Sequence, residues 1–487
     1  MTDIQPPSTP SSSLPPLCGL GGELNAAQAL IADKRLYPVR DPAAFTSLRS
    51  VAACALHMHQ PNIPAGPGGS IISNLQFMLE HGSDGDRYNA TVFRDCYKRL
   101  GTIIPTLVGE GYDPRIMVDY SGSLLYGLEA MGATEVIESL RLLAVDPRYR
   151  VCVEWLGTAW GHAVAPSTPV QDFRLHVEAW QHHFAAIFGA EAVARVKGFS
   201  PPEMALPNHP DVAYGFVKTL VDCGYHWVLV QEHTVEEPET GHSPRHPHIP
   251  HRLVCRNSEG DEASIICLIK TQGSDTKLVA QMQPWFEASS LPHATIKGIS
   301  VPPIVSQIAD GENGGVMMHE FPPKFIEVAK LATGASTPLM NGTEYLEHLA
   351  AIGITERDFP ILQPTKQKQL WTRFTPGKNN AHQLASTITE LTKSDHSFHM
   401  EGGSWTSNIS WVRDYDRLLL PMDKVSSLFY ERVLKPKLPT SDPRYNEALF
   451  LLLNAQTSCF RYWGEGVWVD YGVEFCSRLQ KMLEFAG

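Results

Sequence analysis

A chain of 487 residues that is 43% hydrophobic carries ample apolar material for a large core, in one big domain or two to three ordinary ones. Forty Lys and Arg against 52 Asp and Glu give a formal charge of −12, and the absence of a dense basic run argues against a nucleic-acid partner. Nine scattered cysteines without a C-x-x-C pair read as reduced core thiols, and no apolar run approaches the roughly 18–20 residues that span a bilayer, so the expectation is a cytoplasmic protein without a membrane partner.

Thr2 to Pro16 is rich in Pro and Ser and lacks both a basic start and an apolar core. It reads as a flexible tail and not as a signal peptide, with residues 1–44 forming tail and lead-in. From 45 to 335, short apolar β-branched runs alternate with longer amphipathic stretches, the pattern of strand-helix units around a parallel sheet. Strands are expected at 51–58, 115–120, 150–155, 195–199, 226–231, 264–270 and 304–309. Val170, Phe173, Val177, Trp180, Phe184 and Ile187 recur at helical spacing, and 209–223 and 321–333 also read as helices. Seven strands predict an α/β barrel or a doubly wound sheet. Arg256 to Asp261, between two β-prone runs, predicts a hairpin near 252–270 inserted into that scheme. Beyond 340, Leu-rich segments at 343–353, 417–434, 444–460 and 470–484 predict a helical C-terminal region packing on the barrel.

Polar groups at the mouths of buried strands are where a parallel α/β enzyme keeps its active site. The first strand ends in His57, His59, Gln60 and Pro61, and the second carries Asp119. The third leads through Glu154 and Trp155 to Gly161 and His162. Two prolines precede Glu203 and stiffen the backbone that aims its carboxylate. The last strand runs into Asp310, Gly311, Glu312 and Asn313. Two carboxylates facing each other across a sugar are what glycosidic cleavage needs, one to attack or to activate water and one to protonate the leaving oxygen. Trp155, Trp160, Trp405, Trp411 and Trp463 are candidate platforms for the apolar faces of a sugar. Each motif alone also has a plain structural reading: Pro-Pro-Glu as a helix start, Asp-Gly-Glu-Asn as a turn, tryptophan as core.

Taken in this order, His57-x-His59-Gln60-Pro61, Glu154 with Gly161-His162, Gly198-Phe199-x-Pro201-Pro202-Glu203 and Asp310-Gly311-Glu312-Asn313 resemble glycoside hydrolase family 57 across residues 50–320. Weaker resemblance continues through Gly402-Gly403-Ser404-Trp405 and through Leu451 to Gly464. The resemblance implies an incomplete (β/α)7 barrel followed by helices, no cofactor, and retaining chemistry on an α-glucan or oligosaccharide. It makes Glu203 the nucleophile and Asp310 the general acid and base. His57, His59, Gln60, Glu154 and His162 would line the subsite, with Asp119, Trp155, Glu312, Trp405 and Trp463 as further substrate-binding candidates. Retaining geometry implies carboxyl groups about 5–5.5 Å apart, and burial beside a second carboxylate is expected to raise the pKa of Asp310. Phe199 and Ser200 ahead of the Pro-Glu pair, and Asn313-Gly-Gly after Glu312, depart from the family pattern. The choice among amylase, branching enzyme, 4-α-glucanotransferase, pullulanase and α-galactosidase stays open.

Two other readings compete. His233, His242, His246, His248 and His251 crowd one loop, which with His57, His59 and the acids would suit a zinc-dependent hydrolase or deacetylase. A barrel that binds glycan without cleaving it is the third.

Overall fold

Seven parallel strands close into a barrel in the computed structural model, which describes residues 14–32, 34–271, 276–312, 315–403, 415–462 and 466–484. They are β1 (Val51–Met58), β2 (Ile116–Tyr120), β3 (Val153–Gly157), β4 (Gly198–Phe199), β5 (Trp227–Gln231), β6 (Glu262–Lys270) and β7 (Ile304–Asp310). All seven fall where the hydrophobic runs place them. Each strand pairs with the next, β7 pairs with β1 from Val51 opposite Ile304 to His57 opposite Asp310, and the ring closes where Lys270 of β6 meets Ser306 of β7.

The side-chain period of two sorts each strand between two cores. On β1, Val51, Ala53 and Ala55 join a cluster inside the barrel with Met117, Leu156 and Leu229, whereas Ala52, Cys54, Leu56 and Met58 join the larger core between barrel and helices. His57 continues the inward set at the carboxyl end of its strand. The opposite end is plugged by helix Gly342–Ala351, where Tyr345 donates to the Pro302 carbonyl at 2.7 Å and Leu339 bridges Ala52.

Between β1 and β2 the chain forms α1 (Asn74–His81) and α2 (Asp84–Lys98), which rise beside the carboxyl end of β1. A reciprocal Ser83–Asp86 capping box starts α2. The long helix α3 (Val170–Phe188) follows β3 and matches the helical spacing read from Val170 to Ile187. The expected hairpin is present as His251–Arg256 against Glu262–Lys270, but its second arm is β6 itself, and its first arm continues the sheet outward to Ile361–Pro364.

The Leu-rich segments beyond 340 are helical, including Asp416–Phe429, α4 (Pro443–Ala455) and α5 (Val467–Glu484). Helix α4 lies on the barrel's outer helices, with Phe450 edge-on to Tyr126 and to Trp160. The lead-in from Leu14 is docked and not free: Asn446 on α4 donates to the Pro15 carbonyl at 2.9 Å and accepts from the Leu17 amide at 3.0 Å. Residues 1–13 of the expected tail lie outside the described residues. All nine cysteines are free thiols, eight of them buried, and no helix among the described residues is long and apolar enough to cross a membrane.

Candidate active site

Asp119, His57 and Asp310 stand side by side on β2, β1 and β7, because the parallel register sets His57 opposite both acids. His57 donates from Nδ1 to Asp119, which is fully buried. Burial works against a charged imidazole, but the Asp119 carboxylate and its hydrogen bond, reinforced by Asp310 and Glu312, outweigh it and push the His57 pKa up to about 10. His57 is therefore an imidazolium at neutral pH.

Two further imidazoles stack on it. The ring of His162 lies 4.6 Å from that of His57 and 4.1 Å from that of His59, with interplanar angles of 23° and 16°. Burial, and then the neighbouring imidazole charges, hold both His59 and His162 well below the usual histidine range, so they stay neutral. Their hydrogen bonds fix them in place. His59 Nδ1 shares a 2.7 Å bond with the Ser121 hydroxyl, and its Nε2 lies 3.3 Å from the Thr457 hydroxyl. His162 Nδ1 shares a 2.7 Å bond with the Ser458 hydroxyl, and its Nε2 has no hydrogen-bond partner among the described residues. The Gln60 side-chain oxygen Oε1 accepts from the Asn74 side-chain amide on α1 at 2.9 Å.

Glu203 sits in a left-handed backbone, φ 59°, with Met204 at φ 50°. Such angles cost a non-glycine residue roughly 1–2 kcal/mol each. Pro201 is extended and Pro202 opens a single tight turn that contains Glu203, and Leu206 is then pinned to Gly403 by a reciprocal pair of backbone bonds of 2.9 and 3.1 Å. Between these anchors the carboxylate reaches His162, with Oε1 3.7 Å from Nδ1. His162 itself has φ 57°, so left-handed backbone recurs on both sides of this contact.

Asp310 is exposed at the mouth of the barrel. The burial expected around it surrounds Glu312 instead, two residues on. Glu312 accepts from the Tyr97 hydroxyl and, at 3.1 Å, from the His59 amide. Burial raises its pKa to about 8 against those bonds, and Asp310 adds to the rise, so Glu312 is the acid that holds a proton near neutral pH.

Glu203, Asp310, Glu312, His57, His59, Gln60 and His162 line one cavity of about 800 Å³. Its remaining wall comes from α1, α2 and α5, with Phe77, Phe93 and Trp468 as apolar faces, and from Cys459. Phe77, Phe93 and Trp468 are not among the residues singled out by sequence. Thr457 and Ser458 fall within the stretch of weaker resemblance from Leu451 to Gly464, which assigns them no role, and with Asn454 and Gln456 they form a polar run at the end of Leu-rich α4. That run reaches the histidines because Gly161 lets it in: a Cβ there would meet the Leu453 carbonyl oxygen at 2.1 Å. The Ser458 amide then donates to the His162 carbonyl at 3.1 Å.

Several expected substrate contacts are not in the cavity. Glu154 points into the barrel level with Ala55, two residues below His57 on β1, and accepts hydrogen bonds from the Thr343 hydroxyl and amide. Burial lifts its pKa to about 7 against those bonds, and it serves as an internal tie to the plugging helix. Trp155, one residue on, faces the opposite way and packs among Tyr120, Phe184 and Phe188 with ring centroids 5.1–5.5 Å apart. Asp119 acts through His57 and does not line the cavity. Trp160 is core, donating to His183 Nδ1 at 3.1 Å. Trp405, Trp411 and Trp463 lie outside the described residues.

The histidine-rich loop does not converge. His251 is buried against the Ile249 carbonyl, His248 lies 3.8 Å from Glu287, and His242 and His246 are exposed. Among the described residues no group of three or more His, Cys, Asp or Glu is arranged to hold a metal ion.

No family model and no curated protein matches this chain. Among solved structures it is similar to the 4-alpha-glucanotransferase of Thermococcus litoralis, with a TM-score of 0.54 and 15% identity over 90% of this chain and 60% of that one. It is also similar to a GH57-type branching enzyme of Pyrococcus horikoshii, with a TM-score of 0.54 and 12% identity over 89% and 88% of the two chains. The α-amylase AmyC of Thermotoga maritima gives a TM-score of 0.51 and 10% identity over 90% and 93%. This chain thus spans about three fifths of the glucanotransferase's length. At such identities the likeness is one of fold, and the seven-stranded barrel with its trailing helices is the fold of the GH57-type enzymes, as the order of motifs implied.

Proposed function

We propose that this protein is a retaining glycoside hydrolase or transglycosylase acting on α-linked glucans. The observation that carries the reading is that Glu203 and Asp310, from the ends of different barrel strands, line a single cavity beside three stacked imidazoles. The similar folds of a 4-alpha-glucanotransferase, a branching enzyme and an amylase support the substrate class.

In this reading Glu203 attacks the anomeric carbon while Asp310 protonates the departing glycosidic oxygen, leaving a glycosyl group on Glu203. Asp310 then takes a proton from the incoming hydroxyl of water or of a second sugar, and the ester bond breaks. His57, charged and held by Asp119, and neutral His59 and His162 offer donors and acceptors to the sugar hydroxyls. The unpaired Nε2 of His162 is suited to one of them. Phe77, Phe93 and Trp468 supply apolar surface for sugar faces.

Product analysis on maltoheptaose, amylose and glycogen tests the proposal. Wild-type protein is expected to give new reducing ends or redistributed chain lengths, and Glu203→Gln and Asp310→Asn are each expected to lower turnover by several orders of magnitude. Unchanged glucans throughout the panel, or near-wild-type turnover in Glu203→Gln, would overturn it.

A further inference from the structure

A second cavity of about 770 Å³ lies apart from the first and shares no lining residue with it. Its floor is a strip of sheet where the hairpin leaves the barrel. Strand Ile361–Pro364 runs parallel to His251–Arg256, with Ile361 opposite Arg252, and Arg256 stands opposite Glu262 of β6. Alternation sends Leu253, Cys255 and Cys267 into the core beneath helix Pro210–Asp222, so Arg252, Val254 and Arg256 present the other face. That face is left open as a groove, with helix Gln367–Trp371 along one edge.

The groove's chemistry is specific. Trp371 is half-buried at its wall, packed by its ring on Phe374, and Ile361 is 43% exposed in the floor. Among the described residues Arg252 makes no ion pair, and its Nε is buried without a hydrogen-bond partner. The other two arginines are paired, Arg245 with Glu237 at 3.0 Å and Arg256 with Glu262, while Glu239 and Lys368 add one charge of each sign. An indole wall, an aliphatic floor and a ring of donors and acceptors of both signs suit a neutral polyhydroxylated chain whose C–H faces stack and whose hydroxyls bridge the charged groups. A polyanion would meet Glu237, Glu239 and Glu262 as well as the cations.

We infer that this groove is a second, non-catalytic glycan-binding site, and that its ligand is a stretch of the same α-glucan chain on which the first cavity acts. The inference rests on the proposed function for the identity of its ligand, but its binding is measured without turnover.

The test is affinity electrophoresis of the full chain through gels carrying amylose, glycogen or dextran sulfate, with turnover on maltoheptaose followed separately. Trp371→Ala and, as a variant that leaves the helix packing untouched, Arg252→Gln are each expected to reduce retardation by amylose or glycogen at least several-fold, with circular dichroism unchanged. Retardation equal to wild type in a folded Arg252→Gln variant overturns the inference, as does a wild type retarded only by dextran sulfate or by nothing. If wild type turns over no α-glucan yet both variants lose retardation, the catalytic proposal falls and the groove stands.

Discussion

His57 and Asp119 face each other across β1 and β2 in parallel register, and the imidazole donates to a carboxylate that has no solvent exposure. The charge of His57 in the cavity is thereby set by a residue that does not line it. In Asp119→Asn the His57 pKa is expected to fall well below about 10, since burial then opposes the imidazolium with only Asp310 and Glu312 to offset it. Titration of His57 by NMR checks this. The raised folded-state value means that the pair's contribution to stability is fully present below about 6.5 and is lost as pH rises through about 10. Breaking the buried pair should cost about 3–5 kcal/mol in denaturant unfolding at neutral pH.

Glu312 gives a second pH signature. Its folded-state pKa of about 8 lies above the ordinary 4.5, so the folded protein holds this proton more tightly than the unfolded chain. Stability from this group is therefore greatest below about 4.5 and declines as pH rises to about 8. Glu154 contributes in the same direction through about 7. Subtracting the unfolding curve of Glu312→Gln from that of wild type isolates the Glu312 part, and a difference that stays flat across this window would show that Glu312 is ionised in the folded protein.

The nucleophile assignment has a chemical test apart from loss of turnover. Azide added to Glu203→Ala is expected to restore activity on an activated glycoside and to release a glycosyl azide of inverted anomeric form, because the small anion occupies the space of the missing carboxylate. Rescue in Asp310→Ala but not in Glu203→Ala would exchange the two roles.

Trp155 is predicted to behave as core. Trp155→Ala should lose about 3–5 kcal/mol of stability. Trp155→Phe should lose far less, because the indole Nε1 has no hydrogen-bond partner among the described residues. Both should keep wild-type turnover per folded molecule. A rise in KM in a fully folded Trp155→Phe variant would return the residue to the sugar-binding wall.

The barrel was readable because a strand covered by helices outside and filled inside must be apolar along its length, and each such run ended in polar residues that opened a loop. His57, Glu203 and Asp310 could be picked out on that basis. Glu154 and Trp155 were misleading for a reason local pattern does not reveal: they sit at the end of a strand in sequence, but register puts one below the site and turns the other outward. The short β4 shows the same limit, since the apolar run at 195–199 includes the exit from a helical turn and only Gly198 and Phe199 pair. Ser458 and Thr457 lie in the stretch of weaker resemblance, but distance along the chain hides what they touch. Their hydroxyls matter only because Gly161 admits the end of α4, a relation between segments that no periodicity encodes.

That last relation also bears on how fast the pocket can form. The barrel strands are all made by Asp310, yet His162 receives its hydroxyl partner from Ser458 and His59 its second from Thr457, and α4, which leads into them, is strapped by Leu17. The wall of this cavity is thus held by contacts of very high sequence separation, a kind whose loop-closure entropy slows folding.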